Sequence, residues 1–401
     1  MNSYFEQLGR TVQQRWQQNN FSLEVFPEIA QAALEEVPPA EHVDLGELIR
    51  EFLINDDQPL QGMSGFGQPE LVAFSDPRFY IQILFWLDGT TDIHQHAFSG
   101  AFHVMSGSSI HTEYNFEETH SVTPHLRIGD LSMKQIELLE TGRTVPISSG
   151  RGCIHSLFHL DSPSVTVVVR TQNDPDAGAQ FNYLPPHIAI DPNAADTLTM
   201  RRNQLLYVLE TLGHSAYALL VREMITKLDF ERGFFTLRDA MGCLQDLGEW
   251  DSVLEVFQKK HGELAEGIPA TLAEGLRRET IAGMRGQIED PDLRFFLALV
   301  INVSARADIL DLISARFPDQ SPTEKILSWA EELLFPIDSG LALLDAAFPE
   351  TIDATIDEQA DALMATLQYA LEQDSTGENV PEELSEIHGA LADSSLRVLF
   401  A

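Results

Sequence analysis

The stretch 79–107, FYIQILFWLDGTTDIHQHAFSGAFHVMSG, decides how the chain is read. Its first eight residues, 79–86, are apolar β-formers and predict a strand buried on both faces. Asp88-Gly89-Thr90-Thr91 reads as a turn, and His94, Gln95 and His96 follow it. Histidines at i and i+2 would point about 200° apart on a helix. On a strand they project from one face and can hold one metal ion. The β-formers before them and Gly100 after them favour a strand, so the stretch predicts a two-histidine site in need of a third ligand.

The third ligand is found downstream. Residues 146–155, PISSGRGCIH, end a Gly/Pro-rich turn at His155 and lead into SLFHLDSPSVTVVVRT. Together these stretches resemble the cupin superfamily. Its first motif is a glycine, HxH, a glutamate and a glycine; its second is P-x-G-x2-H-x3-N. Gly89, His94, His96 and Gly107 match the first motif, and Gly152, His155 and His159 the second. Gly100 occupies the acidic slot and His159 the asparagine slot. The resemblance covers residues 75–175. It implies an α+β chain: a cupin β-barrel (double-stranded β-helix, or jelly roll) with N-terminal helices, followed by an all-α C-terminal domain.

Within that superfamily the motif is most similar to the thiol dioxygenases, which also lack the glutamate and bind iron through three histidines. The shared features are a Phe-led apolar strand ending in Trp86, the Asp88-Gly89 turn and Ile93-His94-Gln95-His96. Gly100 or Ala101 stands where some members carry a cross-linked cysteine, so no Cys–Tyr bond is expected and Cys153 is expected to be a reduced thiol. Arg78 lies too close to the first strand to match that family's substrate-binding arginine.

With 401 residues, 44% of them hydrophobic, the chain can bury more than one core. A net charge of −37 argues against nucleic-acid and anionic-membrane partners, which would repel it. Cys153 and Cys243 are the two cysteines, too few for a disulfide framework. The N-terminus, MNSYFEQLGRTVQQRW, has no apolar run of signal-peptide length, and no stretch reaches membrane-spanning length. A cytoplasmic protein is expected.

The organisation expected is N-terminal helices over 1–60 packed on the barrel, a metal-binding cupin domain over 61–198, and an all-helical domain over 199–401. Tyr4, Phe5, Leu8, Val12 and Trp16 recur at helical spacing, and a short helix is predicted over 45–53. Residues 58–75 read as loop. Eight short strands are predicted between 79 and 170, with 131–141 a helical or extended insertion and 172–198 a linker or flap. Beyond 199, helices are predicted over 204–212, 217–228, 234–247, 253–260, 272–288, 293–303, 326–334, 357–373 and 381–391.

His94, His96 and His155 are the candidate metal ligands. Three neutral imidazoles leave a divalent ion its full charge, and iron(II), zinc, nickel, copper or manganese could all occupy such a site. The resemblance implies iron(II). His103 lies three residues past the acidic slot and so faces away from the pocket. His159 shares a face with His155 and is expected to orient a ligand or touch substrate. His111, His120, His125 and His187 read as surface or loop residues. Thr166, Val168 and Arg170 would line the cavity while Val165, Val167 and Val169 pack outward; the reversed assignment leaves Arg170 in water. Tyr80, Gln82 and Trp86 are further candidates on the first strand.

Two functions follow. One is an iron(II)-dependent oxygenase acting with O2 on a small anionic molecule, thiols being among the candidates. The other is a non-catalytic or sensory metal-binding cupin whose helical half docks a partner protein or a second copy.

Overall fold

The computed structural model describes residues 2–62, 66–87, 91–194, 196–334, 355–372, 380–392 and 394–400. Its first helix, α1 (Asn2–Gln18), gathers Phe5, Leu8, Val12 and Trp16 into one buried stripe. Helix α2 (Phe26–Glu36) carries Pro27 in its first turn, where the missing N–H is no loss, and buries Phe26, Ala30, Ala33 and Leu34. After the single turn α3 (Pro39–His42), α4 (Leu45–Ile54) starts where the Asp44 side chain accepts from the Glu47 N–H. These helices pack on a sheet whose outward side chains include Ile81, Ile83, Val165, Val167 and Val169, as the alternation in strands 79–86 and 164–170 predicts.

The strands are β1 (Glu70–Ser75), β2 (Phe79–Trp86), β3 (Ile93–His96), β4 (Gly100–Ser106), β5 (Ser109–Thr123), β6 (Leu126–Leu139), β7 (Thr144–Ile147), β8 (Gly150–His159), β9 (Ser164–Thr171), β10 (Asn182–Leu184) and β11 (Ile188–Ile190). One sheet runs β1-β2-β9-β4-β7. In the other, β3-β8-β5-β6 is closed into a barrel by the β10–β11 hairpin, which pairs with β3 on one side and β6 on the other. The eight strands β2 to β9 therefore divide four and four between two antiparallel sheets in jelly-roll order, and the fold is a jelly-roll β-barrel, as expected. Leu84, Trp86, Phe102, Val104, Leu157 and Val168 fill the space between the sheets.

The C-terminal half is helical: α5 (Thr197–Thr211), α6 (Tyr217–Lys227), α7 (Phe230–Asp246), α8 (Trp250–His261), α9 (Ile268–Arg285), α10 (Pro291–Asn302), α11 (Arg306–Arg316), α12 (Pro322–Leu334), α13 (Ile356–Glu372) and α14 (Glu382–Ala392). Asp196, Asp229 and Asp290 cap three of these helices. The earlier helices pack against Leu126, Ile188 and Ile190, and the later ones against Ile110, Phe158 and Leu160. The helical half thus covers the outer face of the second sheet. Buried Arg285 and Arg294 fasten it there by donating to the carbonyls of His159 and Leu160. Among the described residues no helix is long and apolar enough to cross a membrane.

Several local expectations are corrected. Residues 70–75, read as loop, form edge strand β1, paired with β2. Residues 131–141 fall mostly in β6, which runs far longer than the short strand predicted at 123–127 because its whole length pairs with β5. The segment 172–198 is not merely a linker, since it holds β10 and β11. Helix α11 is missed because its apolar residues Ile309, Leu310, Leu312 and Ile313 spread around the helix instead of lining one face. Of the predicted turn at 88–91, residues 88–90 lie outside the described residues.

Candidate metal centre

Strand β3 presents His94 and His96 on one face, with Ile93 and Gln95 on the other. Strand β8 runs antiparallel beside it and sets His155 directly opposite His94. The three residues are 4, 5 and 2% exposed, and one donor atom from each lies within 4.8 Å of the others. Burial first, then the neighbouring rings, lowers the pKa of His96 and His155; burial also lowers that of His94. The imidazoles are therefore neutral near pH 7, the form that binds metals.

The ring nitrogens fit an ion. His94 Nδ1–H donates to the Asp92 carbonyl at 2.8 Å, which leaves its buried Nε2 without a protein partner. His96 Nε2 and His155 Nε2 face each other at 2.8 Å. Two bare nitrogens at that separation repel unless a proton or a cation lies between them. The donor set, three neutral imidazoles, suits a divalent transition metal.

His111 is a correction. It is fully buried on β5, not a surface or loop residue, and its Nε2 lies 3.0 Å from His155 Nδ1. Its own Nδ1 faces Glu137 Oε1 at 3.3 Å. The spacing of strand 109–115 could have put His111 on a buried face, but no local motif links it to a residue 44 positions away. His120 and His125 are exposed and His187 is half-buried. His103 faces away from the pocket, as its position predicts: it is buried toward the N-terminal helices and bonded to Thr144 Oγ1 at 2.8 Å. His159 shares the face of His155 but sits behind Trp86, stacked on it at 4.6 Å, with Nδ1 on Ser109 Oγ at 2.8 Å. It does not line the cavity beside the three histidines, so it bears on that cavity through the position of Trp86.

That cavity has a volume of about 300 Å³ and is lined by the three histidines, Phe66, Leu84, Trp86, Phe98, Phe102 and other apolar groups, with Glu70, Tyr80, Gln82 and Arg170 at its polar part. Thr166, Val168 and Arg170 face it while the alternate valines pack outward. The Arg170 guanidinium lies over Phe98 at 3.4 Å and Tyr80 at 5.0 Å. Its guanidinium donates to the Thr171 and Gln172 carbonyls, both at a long 3.3 Å. Burial pulls its pKa below the usual arginine range. Gln82 Oε1 is buried beside it without a protein partner.

The missing acidic ligand has a steric cause. A Cβ at Gly100 would meet the Val169 carbonyl oxygen at 2.1 Å and Arg170 Cα at 3.0 Å, so β4 and β9 approach too closely for any side chain there. Gly107 is needed for a different reason, since its φ of +83° turns the chain from β4 into β5. Cys153 and Cys243 are free thiols, and burial pushes Cys153 up to about 12.

No protein-family profile matches the chain, and no curated protein matches it. Solved structures similar to parts of it include hydroquinone 1,2-dioxygenase from Sphingomonas sp. TTNP3, at 9% identity and a TM-score of 0.21 over 27% of this chain and 68% of that one. The DMSP lyase DddQ from Ruegeria pomeroyi DSS-3 matches at 16% identity and a TM-score of 0.22, over 40% and 78%. The capsular polysaccharide assembling protein CapF from Staphylococcus aureus matches at 16% and 0.18, over 29% and 32%. Likenesses of this extent establish neither fold nor activity; the jelly-roll barrel rests on strand order, and the candidate centre on three buried histidines meeting inside it.

Proposed function

We propose that the chain is an iron(II)-dependent oxygenase of the three-histidine cupin type, acting on a small anionic molecule. His94, His96 and His155 would hold the ion, with zinc, nickel, copper or manganese as the other metals the donor set accepts. When bound, the ion would supply Lewis acidity and redox chemistry toward O2. The single observation that carries the reading is that the histidine cluster opens onto a largely apolar cavity that also holds the half-buried guanidinium of Arg170. A cation drawn partly out of water favours an anionic partner. Arg170 would grip a substrate carboxylate through its planar pair of N–H donors, and Gln82 Oε1 would accept from a substrate hydroxyl, thiol or amine. The walls formed by Phe66, Trp86, Phe98 and Phe102 would exclude water and fix the substrate's orientation. The thiol-dioxygenase likeness of the first motif supports a thiol among the candidate substrates. Oxygen consumption by the iron-loaded protein with a panel of thiols and other small acids tests the proposal; no turnover with any of them, despite a filled metal site, counts against it.

A second reading, a sensory or binding cupin whose helical half docks a partner, is favoured by one observation. Leu198, Leu205 and Val208 on α5, and Leu212 at its C-cap, stand exposed. Metal-dependent association of the full chain with a partner, without turnover, would support it.

A further inference from the structure

Behind His155 runs a line of groups that the oxygenase reading does not use. His155 Nδ1 meets His111 Nε2 at 3.0 Å, and His111 Nδ1 meets Glu137 Oε1 at 3.3 Å. Glu137 sits at the surface, where Arg143 Nη2 reaches its other oxygen at 3.3 Å. His111 and His155 are both fully or nearly fully buried, so neither ring can turn to water for a partner.

We infer that Glu137 and His111 are positioning residues which fix the tautomer and orientation of His155 for metal binding. What each group can donate fixes where the hydrogens lie. An ionised carboxylate only accepts, so the hydrogen between Glu137 and His111 resides on His111 Nδ1. A neutral imidazole carries one hydrogen, which leaves His111 Nε2 bare and able only to accept. The hydrogen facing it therefore belongs to His155 Nδ1. That assignment leaves His155 Nε2 with its lone pair directed at His96 and the candidate ion site. A surface carboxylate thus sets, through two rings, which nitrogen of a buried ligand is free. The hydrogen bond from His111 holds the Glu137 carboxyl below its usual range, in keeping with an anion at the head of the line. His94 achieves the same tautomer by a shorter route, through the Asp92 carbonyl. Partners of this kind also raise the basicity of the ligand they support.

The inference rests on the three-histidine reading, and cobalt(II) separates the two. Metal-free full-length protein is titrated with cobalt(II), following the visible ligand-field bands and the affinity in competition with a chelator. His111→Ala is expected to weaken cobalt(II) binding about 10- to 100-fold and to alter the bands. His111→Gln should restore part of the loss, because its amide oxygen can accept from His155 Nδ1–H. Glu137→Ala, at a half-exposed position, should also weaken binding, because it removes the acceptor that holds the hydrogen on His111 Nδ1 and so releases the tautomer. Wild-type binding with unchanged affinity and bands in a folded His111→Ala protein would overturn the relay alone. If His111→Ala does not fold, unchanged binding by Glu137→Ala has the same force. A wild type that takes up no cobalt(II) would overturn the three-histidine reading and this inference with it.

Discussion

Replacing Gly100 by alanine should damage the barrel out of proportion to the single methyl added. The new Cβ would lie 2.1 Å from the Val169 carbonyl oxygen and 3.0 Å from Arg170 Cα, both backbone atoms that no rotamer change can move aside. An ordinary carbon–oxygen contact is about 3.4 Å, so β4 must retreat from β9 by more than about 1 Å. Overpacking of this kind is worth about 1–3 kcal/mol, and each ladder hydrogen bond stretched beyond use adds about 1 kcal/mol. A loss of about 2–4 kcal/mol is therefore expected, read as a lower urea midpoint by tryptophan fluorescence. The matched control is Gly275→Ala on α9, where a Cβ meets nothing within 4 Å. There the same methyl should stabilise by up to about 1 kcal/mol, through helix propensity. If Gly100→Ala were as stable as the wild type, the steric explanation for the absent acidic ligand would be wrong. Gly100→Glu could then be tried as a fourth ligand.

Arg170→Ala should weaken binding of an anionic substrate about tenfold to more than a hundredfold with metal content unchanged, and Arg170→Lys should recover charge but not the two-pronged grip. Equal affinity in all three proteins would place Arg170 outside substrate binding. His103, whose pKa burial lowers to about 4, resists protonation in the fold. Its contribution to stability is intact above about pH 6.5 and falls as the pH drops toward 4, by about 2 kcal/mol at pH 5. Comparing urea midpoints at pH 7 and pH 5 should show a smaller drop in metal-free His103→Gln than in the metal-free wild type; equal drops would refute that assignment.

The sequence made the site partly legible because its strongest signals are local. HxH on a β-like run already places two rings on one face, and the apolar run 79–86 and the valine-rich 164–170 carry their alternation openly. His155 could be found because a glycine-rich turn announces it. His111 could not, since its role depends on the pairing of β5 with β8, a register no neighbouring residue encodes. Strand β1 escaped for a similar reason: the glycines and prolines before it mask a short edge strand that only β2 makes regular. The β10–β11 hairpin consists of three-residue strands, too short to show a period, yet it closes the second sheet. Gly100 was legible as a departure from the cupin motif, while the close approach of β9 that demands it was not.

If His94, His96 and His155 hold one metal ion, metal analysis will count it without need of a substrate. Protein purified without chelators, then supplied with iron(II) or zinc, should bind one ion per chain. Each single replacement of these histidines by alanine should abolish stoichiometric binding, while the circular dichroism of the barrel is retained. A protein with all three replaced that still retained its ion in the same amount would contradict the claim.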